Sequence, residues 1–362
     1  MGRQEFKDAF QEKYKNFKVK ITTADTSENI RAIPTGILSF DIASGMGGFP
    51  RGRVVEIFGP ESGGKSLLSL ASVSYLMRMD PEATALYFDV EGGTPKEWLT
   101  TLNIDLSRFD VVPAGITAED VLDTIIQAVN EGGYTYVIVD SVAAMIPRAQ
   151  LEGEVNQNYM AELARAMSKG LNKIVNVLPD NGPCVIFINQ VREKPGVMYG
   201  NPETTPGGKA LKFYSAQRYR VTRKSGSEQK EKGDVVGHTI RIVNKKNKLG
   251  PPYRESEFFI NYTEGIDTVK NLMSLLKSQK MYEKKGQKYI LTLGNKELSF
   301  DKVGDIEEKL QEDKEFHEAI YATLMKSSIG YVVTTSEESS NPFILDDEEE
   351  NEEKNEEQST DK

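Results

Sequence analysis

The apolar positions of this chain follow two periods that alternate along its middle. RVVEIF, ALYFDV, YVIVDS and CVIFIN are short, nearly continuous apolar runs, the pattern of parallel strands buried on both faces. Between them the period lengthens to that of helices over 65–79, 118–130 and 161–178. This alternation, from about Ile33 to Tyr262, predicts a doubly wound α/β domain with a mostly parallel central sheet. RYRVTR and TIRIVN alternate apolar with polar residues and predict antiparallel strands extending that sheet. At the N-terminus Phe6, Phe10, Tyr14 and Phe17 recur at helical spacing. They mark one face of an amphipathic helix that packs on its own domain or on a neighbouring protomer. From about Glu264 to Val333 the pattern predicts a small α+β unit, with helices over 268–279 and 314–325. KYILTL and ELSF read as a hairpin turning at Gly294-Asn295.

Charge changes this picture in one place. The 362 residues carry a formal net charge of −10, but 12 of the 55 acidic residues and 2 of the 45 basic ones follow Thr335. That leaves 43 of each before it, so the body is neutral and the tail carries the imbalance. An acidic whole-chain balance therefore does not argue against nucleic-acid binding by the body. The tail is polar and acidic, the composition of a disordered segment. No apolar run approaches the length that spans a bilayer, and MGRQEFKDAF lacks a signal-peptide core, so a cytoplasmic protein without membrane contact is expected. The single cysteine, Cys184, lies inside CVIFIN and reads as a buried, inert thiol.

The clearest chemistry is Gly59-Pro60-Glu61-Ser62-Gly63-Gly64-Lys65-Ser66, which follows a strand and opens a helix. The spacing matches the phosphate-loop motif in the context that motif needs. Its glycines let backbone N–H groups curl around phosphate oxygens, and the helix N-terminus adds a favourable dipole. Lys65 would reach the β- and γ-phosphates of ATP, and Ser66 would ligate Mg²⁺. Asp140, at the end of YVIVD, would support that ion through its hydration shell. Glu91 follows another strand end and is a candidate for orienting the attacking water, the alternative being a solvated loop residue. Gln190, after CVIFIN, is placed to contact a γ-phosphate.

Longer stretches carry a resemblance. IPTGILSFDIASGMGGFPRGRVVEIFGPESGGKS, YVIVDSVAAMIPRAQLEGE, IFINQVREKPGVMYGNPETTPGGKALKFY and KNKLGPPY resemble the RecA family of homologous-recombination proteins, bacterial or phage, over about residues 30–330. The resemblance implies a RecA-type phosphate-loop ATPase core over 33–263, holding the DNA loops. Around it stand an oligomerisation segment over 1–32, a small α+β domain over 264–335 and the acidic tail over 336–362. Lys65, Ser66 and Asp140 match its nucleotide and magnesium positions, Glu91 its catalytic glutamate, and Gln190 its γ-phosphate sensor at the start of the second DNA loop. Trp98 falls where the family has an adenine-stacking tyrosine, and Tyr262 matches the aromatic on the other side of the base. Pro95 replaces an aspartate often found near the adenine. Lys246 and Lys248 match lysines that reach the neighbouring protomer's ATP. Two apart on an extended strand end, they would point to one side, as a solvated basic strand end would also do.

The resemblance also implies DNA loops at about 152–160 and 191–209. Met160, Arg165 and Ser168 match DNA-contacting positions of the first, and Arg192, Gly207, Gly208 and Lys209 belong to the second. Helical spacing supplies an independent check. Leu163, Met167, Leu171, Ile174 and Leu178 share one face, while Arg165, Ser168, Lys169 and Asn172 share the opposite one, which is either a DNA face or simply solvated. Asn172 replaces a family arginine, and Lys209, in place of a common asparagine, restores the charge. The implied partners are single-stranded DNA, a homologous duplex and further copies of the chain in a helical filament, with a single-strand-binding protein and a recombination mediator as helpers. The competing classes are a ring-shaped RecA-fold motor, a regulatory nucleotide-binding module and a small-molecule kinase. The loop NPETTPGG argues against the first two, and the lack of a compact acceptor-site motif against the third.

The charge partition yields one expectation of its own. A tail that competes with DNA for the basic surfaces of the body predicts tighter duplex binding after truncation behind Thr335. Unchanged duplex affinity at low salt would mark the tail as a solubilising segment only.

Overall fold

The continuous apolar runs become neighbouring parallel strands in the computed structural model, which describes residues 2–15, 30–153, 159–193, 203–262, 265–294 and 296–328. They are β1 (Val54–Gly59), β2 (Ala85–Asp89), β4 (Tyr136–Asp140) and β5 (Cys184–Gln190), with β3 (Phe109–Pro113) at the edge. After them come β6 (Gln217–Arg223), β7 (Gln229–Glu231), β8 (Asp234–Asn247), β9 (Glu255–Asn261) and β10 (Gly265–Ile266). The order across the ten-stranded sheet is β10-β9-β8-β6-β1-β5-β4-β2-β3, with β7 beside β8. RYRVTR was expected to be antiparallel. Instead β6 pairs in parallel with β1 on one side and antiparallel with β8 on the other, so it is the seam between the two halves.

Helices cover both faces, as the buried strands require. They are α2 (Leu38–Ser44), α3 (Lys65–Met79), α4 (Ala118–Glu131), α5 (Met160–Val177) and the short α6 (Ala210–Tyr214), while α1 (Arg3–Lys13) buries none of its residues. Alternate strand residues serve alternate faces. Ile57, Tyr87, Ile138 and Ile186 pack with Leu68, Leu70 and Val73 of α3. Val54, Phe88, Val137 and Phe187 pack with Val121 and Ile125 of α4 and with Met167, Leu171 and Ile174 of α5. The predicted core face of α5 is thus observed, with Leu178 just past the helix end and packed against the same cluster. Cys184 is fully buried in the α3 layer, and burial pushes its thiol pKa upward, away from reactivity. The exit from α3 is held by Arg108, which donates to the carbonyls of Met77 at 2.8 Å, of Asp80 and Pro81 at 2.9 Å, and of Ala83 at 3.2 Å.

Several elements have no counterpart in the sequence reading, among them β9 and α2, and three of them show why. Strand β3 buries only Phe109 fully and leaves Val111 exposed, so an edge position hides the signal. The hairpin of β12 (Lys288–Leu293) and β13 (Lys296–Phe300) is found with Leu293 opposite Lys296, Asn295 lying outside the described residues. It is joined by β11 (Tyr282–Lys285), whose residues are charged and mostly exposed. The third is α8 (Val303–Glu312), which stands between α7 (Thr268–Ser278) and α9 (Lys314–Ser328) and buries Ile306 and Leu310. Leu272, Leu276, Leu291, Ile320 and Leu324 complete this third core, and Leu38 of α2 joins it from the central domain. Helix α1 forms as expected, with Phe10 and Tyr14 rings 4.6 Å apart, but it buries none of its residues and Phe6 is 55% exposed. Packing of its aromatic face on the chain's own core is therefore not what the structure has. Phe17, the acidic tail and the middle of both proposed DNA loops lie outside the described residues.

One buried carboxyl ties the third core to the first. Asp41 of α2 accepts from the Thr35 hydroxyl at 2.7 Å and from the Tyr321 hydroxyl of α9 at 2.9 Å. Burial pushes it from an ordinary value of 3.8 up to about 7, against the pull of those donors. Between these two values the folded state binds more protons than the unfolded one. Stability is therefore highest below the unfolded pKa and falls as pH rises through about 7. Asp41→Asn should flatten that slope. Between pH 5 and 8 the wild type should lose on the order of 5 °C of melting temperature relative to the variant, measured by circular dichroism.

Candidate functional site

The parallel strands β1, β2, β4 and β5 all end on one edge of the sheet, and residues distant in sequence meet there. Gly59 closes β1, Pro60, Glu61, Ser62 and Gly63 form the loop, Gly64 is the N-cap of α3, and Lys65 and Ser66 are its first residues. Lys65 folds back so that Nζ donates to the Pro60 carbonyl at 2.6 Å. Burial lowers its pKa, and the charges of Asp140, Glu91 and Glu61 oppose that shift. Asp140 shares a hydrogen bond with Ser66 and accepts one from the Tyr87 hydroxyl at 2.7 Å. Burial raises its pKa, and those two donors lower it. The backbone N–H groups of Val90 and Glu91 donate to the Asp140 carbonyl at 2.8 and 3.2 Å. The Glu91 carboxylate accepts from the Ser141 hydroxyl and, at 3.2 Å, from Nε2 of Gln190. Lys65, Ser66, Glu91, Asp140 and Gln190 therefore form one connected cluster.

Beside the loop opens a cavity of about 320 Å³, lined by Lys65, Ser66, Trp98, Tyr262 and His238 among others. Trp98 reaches it from the short helix Lys96–Thr101, and the exposed Pro95 caps that helix. The turn ahead of the helix is fixed by Asp89, which accepts from the Gly93 and Thr94 amides at 3.1 Å. Tyr262 is half exposed and its hydroxyl lies 2.9 Å from Nδ1 of His238. Ser66 and Asp140 offer a hydroxyl and a carboxylate oxygen side by side. A hydroxyl that can bind Mg²⁺ and a carboxylate that can hold its water shell suit an ion that takes its other ligands from water and phosphate. Sequence reasoning missed Tyr87, Ser141 and His238. Their partners lie 53, 50 and 24 residues away, so no local pattern announces them.

Lys246 and Lys248 are not part of this cluster. Both point to one side, as an extended strand end predicts, and both end on the carbonyl end of α6. Lys246 Nζ donates to Lys212 O at 2.6 Å and to Phe213 O at 3.0 Å, and Lys248 Nζ to Phe213 O at 3.3 Å. Burial, Lys248 and Arg218 together lower the Lys246 pKa to about 8.

The other end of α6 adjoins the residues matched to DNA contacts. Gly207 and Gly208 have positive φ and sit so close to α5 that a Cβ on Gly207 would come within 3.3 Å of Met167 and one on Gly208 within 3.0 Å of Ala164. The second loop's return is thereby laid against the helix that follows the first loop. On that helix Met160 is 75% exposed and Ser168 is exposed, while Arg165 pairs with Glu162 at 2.5 Å. Asn172 is turned toward Tyr214, donating to its hydroxyl at 2.9 Å. Lys209 and Arg192 are exposed, Arg192 two residues beyond Gln190 in a short ladder with Glu203 and Thr204. Among the described residues no helix is long and apolar enough to cross a membrane.

Known proteins carry the same arrangement of sequence. The family described as the RecA N-terminal domain matches residues 5–267. Protein RecA of Thermus aquaticus is 43% identical over 257 residues, 71% of this chain and 74% of that one. Protein RecA of Thermus thermophilus is 40% identical over 301 residues, 83% and 86% of the two chains. Protein RecA of Deinococcus radiodurans is 36% identical over 310 residues, 85% and 84%. With the family model matching most of its length and relatives about 40% identical over most of both chains, the chain belongs to the RecA family of homologous-recombination proteins.

Proposed function

We propose that this protein is a single-stranded-DNA-dependent ATPase that assembles as a helical filament and exchanges homologous DNA strands. The observation that carries the reading is the hydrogen bond from Gln190 to Glu91, because the chain leaving Gln190 runs directly into the segment matched to the second DNA loop. A strand end that touches a catalytic carboxylate and leads straight into a segment that grips DNA couples the two events.

Lys65 and the loop amides would hold the phosphates, with Trp98 and Tyr262 stacking on either side of adenine. Ser66 and Asp140 would hold Mg²⁺, which supplies charge neutralisation across the β- and γ-phosphates. Glu91 accepts a proton from water as the water oxygen bonds to the γ-phosphorus. The bond to the bridging oxygen breaks, leaving ADP and phosphate. Lys246 and Lys248 would leave the α6 carbonyls for the γ-phosphate of a neighbouring protomer, which makes the site whole only between subunits. Met160, Arg165, Ser168, Arg192, Gly207, Gly208 and Lys209 would hold the DNA backbone, giving sequence-tolerant, salt-sensitive binding. Helix α1, with its uncovered aromatic face, fits the role of a contact between protomers.

ATP turnover measured with and without single-stranded DNA, with electron micrographs of the same samples, tests the reading. Stimulation with helical filaments is expected; closed rings would favour a motor, and turnover indifferent to DNA a regulatory module. Glu91→Gln should cut turnover by about 10²- to 10⁴-fold. The fluorescence response of Trp98, the single tryptophan, to an ATP analogue should persist in that variant.

A further inference from the structure

His238 stands on β8 in the wall of the nucleotide cavity, only 5% exposed. Its Nδ1 is engaged by the Tyr262 hydroxyl, while Nε2 has no hydrogen-bond partner among the described residues. A buried polar atom left unpaired is costly, so a ligand that supplies the missing partner recovers that cost on binding. Position identifies which part of a nucleotide is meant. Ile240, two residues along the strand and on the same face, packs over Gly64 of the phosphate loop, where a Cβ would come within 2.2 Å of its Cδ1. Strand geometry sets His238 about 7 Å from Ile240, and its other nitrogen is tied to Tyr262. It therefore lies between the group that cradles phosphate and the aromatic that would face the base. In a nucleoside triphosphate the sugar occupies that interval. Burial lowers the imidazole pKa and Arg223 lowers it further, against Glu228, so the ring is a neutral donor–acceptor. Ribose hydroxyls both donate and accept, and match either tautomer.

We infer that Nε2 of His238 hydrogen-bonds a ribose hydroxyl of the bound nucleotide, making this residue a determinant of sugar selectivity. The inference rests on the nucleotide reading of the cavity and deepens it. Its test uses the full-length protein without DNA, with Mg²⁺ present. ATP, 2′-deoxy-ATP and 3′-deoxy-ATP are titrated against Trp98 fluorescence and by calorimetry. The wild type should bind ATP about three- to tenfold more tightly than at least one deoxy form, the worth of one net hydrogen bond. His238→Ala should bind all three alike. His238→Phe fills the space without a ring nitrogen and should lose the same preference, which separates a lost contact from a cavity. A wild type without any hydroxyl preference, or variants that keep it, overturns the inference. A wild type that binds none of the three overturns the nucleotide reading itself.

Discussion

The end of β1 and the end of β6 approach so closely that no side chain fits between them. At Gly59 a Cβ would stand 1.9 Å from the carbonyl oxygen of Val221. That approach sets where the chain turns out of the sheet and where α3 begins, and so where Lys65 and Ser66 project. It also joins the parallel half of the sheet to the antiparallel half, since β6 is the strand paired both ways. The phosphate loop and the wall carrying His238, Ile240 and Tyr262 hence face one another across a single rigid seam. A larger residue at Gly59 would displace both halves of the nucleotide cavity together.

The cluster built on that edge has an economy of its own. Asp140 uses its carboxylate on Ser66 and Tyr87 and its carbonyl on the backbone of Glu91. Glu91 in turn is oriented by Ser141 and Gln190. Each carboxylate is therefore held by groups from two other segments, which fixes geometry before any ligand arrives. The lysines at the far end of β8 are arranged otherwise. They rest on the open carbonyls of α6, a polar holding place that a stronger anion can outcompete.

Much of this was legible from residues alone, and the limits have physical reasons. The strands β1, β2, β4 and β5 are buried on both faces, so their sequences carry unbroken apolar runs. The phosphate loop is a contiguous motif, and Glu91, Asp140 and Gln190 follow from lying at strand ends on its side of the sheet. Strand β3 was not legible because an edge strand needs no apolar face on its open side, and β11 because its residues are charged and mostly exposed. Helix α8 offers only Ile306 and Leu310 as fully buried anchors in an otherwise charged stretch. His238 could not be found at all from its own neighbourhood. A histidine in an alternating strand reads as an ordinary half-buried residue until Tyr262, on another segment, is seen to occupy one nitrogen and leave the other without a partner among the described residues.

Cys184 sits in the middle of the sheet, wholly enclosed, on the strand that ends at Gln190. It is the only thiol in the chain. A maleimide or disulfide reagent would reach it only when the central strands separate, so its labelling rate is an intrinsic clock for the opening of the sheet. For the same reason the natural sequence serves as a background for attaching a single probe: one cysteine introduced at an exposed position is modified while Cys184 remains silent.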